Sequence, residues 1–536
     1  MDKKYGMLII CAAILVLCFV GTASAKIWYV DDSGGANFTK IQDAITSANG
    51  SDIIIVRDGN YLENVKVNKS LTIQSENGSA LTVVQAASSG DHVFEVTANY
   101  VNISGFTVEG ATGGYFKAGI YLYYADRCNM TYNNCSNNEI GISAVYSNNN
   151  TITGNTVTYN NGWGVQFFSS GNNVIASNNL SNNYGGFYLY PSSNNNTITG
   201  NTVSNNTNDG IVISSSSNNN IITGNNIISN NDIGIYLIDS SNNNTVTGNN
   251  ISNNGYGIGL TYSNNDNTIT GNNIFSNAGI GIYLIDSCNN NTVTENTVSN
   301  SHCGIYLYSS ISNKIYLNNF VNNTDNIDSI NSTNIWNSTP PMTYSYNGTQ
   351  YTNYLGNYWD DYEGADGDGD GIGDSSYVIP ADNNDSYPLI EPFEIYLAPT
   401  EGIFDTGSGT YPSISGTHNG TITPNQTIEV SKLYTYPCVG TGGHAEYAMI
   451  WNKTIGEYAV AEWNGYIGDY HNISFNKTLT LKEGVIYNYT IRTGSYPQIH
   501  HTDALPTKNG WINCTEFVDA NGKVYYDWIP AIRLYF

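Results

Sequence analysis

The chain is 536 residues long and carries 18 Lys and Arg against 44 Asp and Glu, a formal net charge of −26. So acidic a balance argues against a nucleic-acid partner and against a polyanion held in a basic groove; it fits cation binding and a salty exterior. Charged residues are only 12% of the chain, so the surface must be mostly amide and hydroxyl.

Residues 1–25 read as a secretory signal. Lys3 and Lys4 are the basic start, Met7 to Val20 an apolar run too short for a comfortable membrane span, and Ala23-Ser24-Ala25 a small-residue cleavage site. No second apolar run follows, so the expected product is secreted or displayed at the cell surface, with no membrane span of its own. Residues 26–69 read as a cap. Ile27 to Val30 has strand character, and Phe38, Ile41, Ala44, Ile45 and Ala48 have helical spacing over 38–48. Asp52 to Val56 reads as a further strand. A helix over the first coil would cover edge groups that otherwise invite aggregation.

Residues 70–332 repeat one pattern. Gly119, Gly141, Gly164, Gly186, Gly210, Gly234, Gly257, Gly281 and Gly304 recur every 22 to 24 residues. A period of this size indicates a solenoid of stacked units. Each unit holds three short alternating stretches separated by Asn-, Ser- and Gly-rich turns, which describes one coil of a parallel β-helix. Ile235, Leu237, Val246 and Ile251 are expected inside. Asn155, Asn178, Asn201, Asn225, Asn249, Asn272, Asn296 and Asn318 share the period. Stacked about 4.8 Å apart, their amides can form a hydrogen-bonded ladder, a structural role rather than a ligand set.

At this point the chain resembles a family. "WYVDDSGGANFTKIQDAI" and "SDIIIVRDGNYLENVKVNKSLTI" look like the N-terminal cap of pectin-lyase-like right-handed parallel β-helices. The GIYL and NNNTVTGNNI coils, Asn318 to Asn337, and Thr352 to Tyr362 are similar to the NosD-type branch, also called carbohydrate-binding and sugar-hydrolysis repeats. The resemblance covers residues 27 to about 395; it is specific for fold and weak for activity. The NosD name implies copper. Copper needs Met, Cys or His, and the solenoid offers Met130, His92, His302 and the scattered Cys128, Cys135, Cys288 and Cys303, so copper is not expected.

Residues 333–396 read as a loop-rich closing segment. Asp366, Asp368, Asp370 and Asp374, Gly371 and the backbone carbonyl of Ile372 reproduce most of an EF-hand-type calcium loop. Tyr377 stands where the bidentate Glu is expected, and Asp382 or Asp385 could replace it. Calcium is the expected ion; a solvated acidic turn is the alternative.

Residues 397–536 lose the repeat. Runs at Thr427–Leu433, Ala445–Trp451, Tyr487–Arg492 and Val524–Ile529 suggest an antiparallel β-sandwich after a linker at 397–402. "GTGGHAEYAMIWN", "GYIGDYHNISF" and "TEFVDANGKVYYDWIPAIRL" resemble a domain recurring in surface proteins of methanogenic archaea, which supports location rather than activity. Cys438 and Cys514 are either a disulfide or buried thiols. His444, with Glu446, and His471, His500 and His501 lack a metal-ligand spacing. The fold class is therefore all-β, a right-handed parallel β-helix with an N-terminal helical cap and a C-terminal sandwich.

Catalytic groups are sparse. Between Gly119 and Asn318 the basic side chains are Arg127, Lys314 and His302. Asp239 and Asp286 sit at equivalent positions two coils apart, either a hydrolase pair or recurring turn residues. The residue two after each repeat glycine should point outward, which aligns Tyr188, Tyr236, Tyr283 and Tyr306. Stacked tyrosines can bind sugar rings or dock another segment. The expected function is non-catalytic binding of a polysaccharide or surface glycoprotein, or assembly into an envelope. The alternative is a polysaccharide lyase or hydrolase. Sequons at Asn149, Asn195, Asn243 and Asn290 recur on one turn and can carry glycans.

Overall fold

The computed structural model describes residues 25–347, 349–397, 403–409, 411–412, 414–437, 443–454, 456–463, 465, 471–494, 497–507 and 509–536. The signal sequence up to Ser24, the linker after Leu397 and Cys438 with its disulfide lie outside the described residues. Contacts group the chain into two compact units. One holds the residues up to 222 with 226–244 and 252–264. The other holds 223–225, 245–251 and 265–536.

Three parallel sheets of fourteen, thirteen and twelve strands build the solenoid. One coil is Ile233–Ile238, Thr245–Thr247 and Asn250–Ser252. Its apolar positions Ile235, Leu237, Val246 and Ile251 are wholly inside, as alternation along short strands requires. The turns between strands need left-handed backbone. Asn243 (φ 56), Gly248 (φ 63) and Asn253 (φ 56) supply it in this coil, and Asn and Gly are the residues that adopt it at least cost.

The coils reach further back than the sequence suggested. Ile27–Val30 and Ile53–Val56 pair with each other in parallel, and the second pairs with Thr72–Ser75. The segment read as a cap therefore supplies the first strands of the solenoid. Its helix spans Ile41–Ser47, shorter than 38–48, because Phe38 instead bridges Val30 in parallel. The helix is held at both ends by side chains of the next coil. The buried Glu63 carboxylate accepts the N–H of Ile41 (2.8 Å) and Gln42 (3.0 Å). Lys69 Nζ donates to the carbonyls of Ile45, Thr46 and Ala48. An anion at the N-terminus and a cation at the C-terminus satisfy the orphan groups of so short a helix.

The closing segment adds the last strands, Thr333–Ile335 and Tyr358–Trp359, and an antiparallel hairpin of Met342–Tyr346 with Thr349–Asn353. Tyr344, Tyr346, Leu355, Ile372, Leu389 and Tyr396 form its core.

The C-terminal region is antiparallel throughout, with one sheet of eleven strands and one of three. The large sheet has two halves that meet in a single residue pair, Ala461 with Phe475. One core draws Phe404, Val430, Leu433 and Leu534 from one half and Ile422, Ile450, Tyr487 and Tyr489 from the other, the layering expected of a sandwich. The run expected over Val524–Ile529 is two short strands, Val524–Tyr525 and Trp528–Pro530.

Candidate functional site

The turns carry three buried asparagine ladders where the sequence pointed to one. In the expected ladder, Asn155 donates its backbone N–H (2.9 Å) and its side-chain amide (3.0 Å) to the Asn178 carbonyl oxygen. Asn178 does the same to Asn201. The series runs on through Asn249, Asn272, Asn296 and Asn318 to Asn357. A second ladder includes Asn150, Asn173, Asn196 and Asn220, and a third Asn160, Asn183, Asn206 and Asn230. Most of these amides also donate to a carbonyl of an earlier coil, as Asn178 does to Ile152 (2.9 Å); the Asn150 amide nitrogen has no partner. Such extensive pairing is what permits so much buried polarity.

The ladders have a direction, and carboxylates receive the last donors of two of them. Asn357 donates its N–H to Asp385 Oδ2 at 2.8 Å, and Trp359 and Tyr387 add two more N–H donors. Asn334 donates its N–H (2.7 Å) and its amide (2.8 Å) to Asp382. Asp382 and Asp385 are thus committed to the ladder ends and are not the missing ligands of the acidic loop. Burial pushes the Asp385 carboxyl up to about 6, against the downward pull of these N–H donors.

The acidic loop gathers three of its predicted residues. Carboxylate oxygens of Asp366, Asp368 and Asp370 lie within 4.8 Å of one another. Gly369 and Gly371 donate their N–H to Asp366 at 2.8 and 2.9 Å. Ile372 has a buried side chain and donates its own N–H to Asp370 at 2.8 Å. Asp374 stands apart from the trio and accepts the Gly367 N–H at 2.8 Å. The loop is braced from the hairpin by Tyr344, whose O–H donates to the Asp370 carbonyl, and by Tyr351, which donates to the Gly369 carbonyl.

The outward column of the twelve-stranded sheet follows the predicted register. Tyr121, Ser143, Gln166, Tyr188, Val212, Tyr236 and Gly259 pair in sequence, and Tyr283 pairs with Tyr306. Tyr188, Tyr236 and Tyr306 are half-buried. Tyr283 is only 7% exposed, so its face is not open as expected; position on the outer side of a strand does not by itself leave a ring accessible.

Over coils 92–190 this column, which the repeat placed outward, becomes an aromatic groove completed by His92, Tyr115 and Phe116, which the repeat pattern had not marked. His92 stacks on Tyr121 at 3.9 Å between ring centroids, Tyr188 stacks on Tyr190 at 4.1 Å, and Trp163 stacks on Tyr188 at 4.8 Å. A cavity of about 380 Å³ lies between His92 and Tyr190, beside one of about 280 Å³ that reaches Trp163 and Tyr184. Tyr115 and Phe116 line both, and are 87% and 63% exposed. Phe116 holds a φ of 70°, costly for a bulky side chain and a recurrent mark of functional loops.

The chemistry of the groove is that of neutral donors and acceptors. His92 Nδ1 accepts the Ala118 N–H at 3.1 Å, so its proton sits on Nε2. Burial first, and the Lys117 charge second, hold this imidazole down at about 4. Tyr121 is pushed up to about 12 by burial. Neither group is poised to take a proton near neutral pH. Asp239 and Asp286 both hold left-handed turn positions, with φ of 57° and 59°.

The solenoid's soft side chains are scattered. Cys128, Cys135, Cys288, Cys303 and Met130 are buried, burial pushes the Cys128 thiol up to about 11, and His302 is exposed. Among the described residues the group of three that could hold an ion is the oxygen set of Asp366, Asp368 and Asp370.

Comparison with known proteins finds the same architecture. Residues 88–251 match the family described as right handed beta helix region. Residues 225–364 match the family described as periplasmic copper-binding protein (NosD). A cell surface glycoprotein of Methanothermus fervidus is 38% identical over 138 residues, 25% of this chain and 21% of that protein. The chain thus spans about a fifth of the relative's length. Among solved structures, the A-module of the Azotobacter vinelandii mannuronan C-5 epimerase AlgE4 is 17% identical over 56% of this chain and 97% of its own, with a TM-score of 0.49. A mannuronic acid specific polysaccharide family 6 lyase from human gut microbiota is 13% identical over 58% of this chain and 87% of its own, with a TM-score of 0.43.

Proposed function

We propose that the protein, whose residues 88–251 match the right handed beta helix region and 225–364 the NosD family, is a non-catalytic, exported binder of polysaccharide or surface glycoprotein. The observation that carries the reading is the aromatic groove over coils 92–190. Stacked rings such as Tyr121, Trp163 and Tyr188 present π faces that match the C–H faces of sugars. A β-helix holds such rings in place before any ligand arrives, so binding carries little ordering cost. The imidazole in the groove has its acceptor nitrogen occupied by backbone, which favours recognition over proton abstraction. The similarity to a cell surface glycoprotein supports the location. No described helix is long and apolar enough to cross a membrane.

The reading includes calcium on Asp366, Asp368 and Asp370, where oxygen ligands suit a hard cation. Bound there, the ion would cancel repulsion among three carboxylates and fix the loop against the hairpin tyrosines. It also includes glycans on Asn149, Asn195, Asn243 and Asn290, which are exposed in left-handed turns. Glycan-array binding run beside assays for reducing ends and unsaturated products tests the function. Binding without turnover is expected; release of either product would replace the reading with a lyase or hydrolase. Calorimetry with calcium on wild type and Asp368→Ala tests the loop, with heat expected for the wild type and lost in the variant; equal heats rule it out.

A further inference from the structure

We propose that the groove between His92 and Tyr190 binds a linear, uncharged polysaccharide, laid along the solenoid axis beneath the Tyr115–Phe116 lip. The proposal rests on the reading of the protein as a glycan binder and adds the site, the ligand class and its direction.

The direction follows from the floor. Tyr121, Ser143 and Gln166 occupy one column on three successive coils. Successive coils are about 4.8 Å apart, close to the advance of one pyranose unit in an extended chain. Ser143 and Gln166 are 2% and 4% exposed, so what a polymer running with the column meets is one ring per coil, Tyr121, Tyr146, Phe168 and Tyr190, whereas one running across it meets mainly the ends of strands. The two neighbouring cavities share Gln166 and the lip; the second lies to one side, at the start of the same strands beside Ile140 and Trp163, and widens the groove rather than lengthening it.

The ligand class follows from the polar groups. His92 is a neutral imidazole presenting an Nε2–H. The buried Gln166 donates its amide to the Tyr190 hydroxyl at 2.8 Å and so holds that hydroxyl at the groove. These groups pair with sugar hydroxyls and acetamides and provide no countercharge. Lys117 is the one cation lining the groove among the described residues, while Glu139 lines the adjoining cavity. Nearby Lys66 is paired with Glu95 at 3.4 Å. A chain bearing one carboxylate per sugar would meet one ammonium inside a protein of net charge −26, an arrangement that repels polyanions.

The lip supplies the remaining contact. Two aromatic side chains are held in solvent on a loop whose neighbour Gly114 has φ 147° and whose Phe116 has φ 70°. Exposed rings in a costly backbone gain most from a ligand that covers them. A sugar sandwiched between Phe116 and the floor would bury both its faces.

The test uses the full exported chain and calorimetry with hexasaccharides of glucose, of N-acetylglucosamine, of mannose and of a uronate. At least one uncharged hexamer should bind, and the uronate should not. Tyr115→Ala and Phe116→Ala, both at exposed positions with little bearing on folding, should each weaken that binding tenfold or more. Tyr262→Ala, an exposed ring on a distant turn, should change it less than twofold. Affinity should be flat from pH 5.5 to 8, because His92 does not change charge there. Binding of the uronate alone, lost in Lys117→Gln, would overturn the ligand class while leaving a glycan binder. Binding that survives both lip variants and falls in Tyr236→Ala would overturn the site. No heat with any hexamer would overturn the proposal together with the glycan-binding reading on which it rests.

Discussion

The solenoid and the C-terminal region solve the same problem, closing a β-rich chain around a core, in opposite ways. In the solenoid every bond of consequence links neighbours one coil apart: Asn178 meets Asn155 behind it and Asn201 ahead. In the C-terminal region the partners are remote. Thr417 pairs with both Arg492 and Val518, and the core is a single cluster of large apolar side chains. The solenoid buries polar amides and satisfies them in series; the sandwich buries carbon and satisfies its backbone in antiparallel strand pairs. Damage in the first should spread along the axis by neighbours. Damage in the second should be shared by the whole cluster.

The sharpest way to break this comparison is Asn178→Leu. It strands the Asn155 N–H without its acceptor, while the Asn155 amide keeps the Met130 and Thr153 carbonyls, and at roughly 1–3 kcal/mol for a buried unsatisfied donor the cost is as much as about 3 kcal/mol. Hydrogen exchange should accelerate at 133–225 and leave 428–535 unchanged; uniform acceleration would end the nearest-neighbour picture. Next is Leu433→Ala, which opens a cavity in the sandwich and should cost about 3 kcal/mol. Here exchange should rise together across strands as distant as 416–424 and 510–519, with coils 133–225 untouched.

A third test is a pH series on the ladder end. The folded Asp385 carboxyl lies at about 6 against an ordinary value of 3.8. Its contribution is therefore fully present below pH 4 and is lost as pH rises through 6, by about 2–3 kcal/mol. Exchange at the Asn357 and Tyr387 amides, corrected for intrinsic rate, should show that loss in wild type and not in Asp385→Asn; parallel profiles would remove the assignment. The smallest effect should come from Glu457→Gln. Its pair with Lys482 is open to solvent at the lysine and half-buried at the carboxylate, so the change in unfolding free energy should stay within about 1 kcal/mol.

Much of the solenoid was legible because it repeats. Nine glycines and eight asparagines at one period specify coils, inward Ile and Leu, and one ladder. The other two ladders were hidden because Asn fills most turn positions, so Asn150 and Asn160 look no different from exposed Asn149 and Asn161. Phe38 has the spacing of a helix but bridges Val30, a contact that periodicity cannot weigh. Asp382 and Asp385 looked like spare calcium ligands until their partners Asn334 and Asn357, 48 and 28 residues away, were in view. The groove lay in the blind spot of the repeat: His92, Tyr115 and Phe116 precede the first anchoring glycine. The tyrosine column was readable in register but not in exposure, as Tyr283 demonstrates.

The directionality of the ladders bears on how such a chain can change length. Every amide accepts from the coil before and donates to the coil after, so a whole coil inserted in mid-ladder finds acceptors and donors already waiting. Asp382 and Asp385 would still meet the last donors, and Glu63 and Lys69 would still hold the first helix. The ends act as fixed bookends, and the shelf between them can be extended or shortened in steps of about 4.8 Å. A partial insertion would break the register of all three ladders at once. Reach, measured in whole coils, is thus a property that duplication or deletion of about 23 residues can tune without redesigning either terminus.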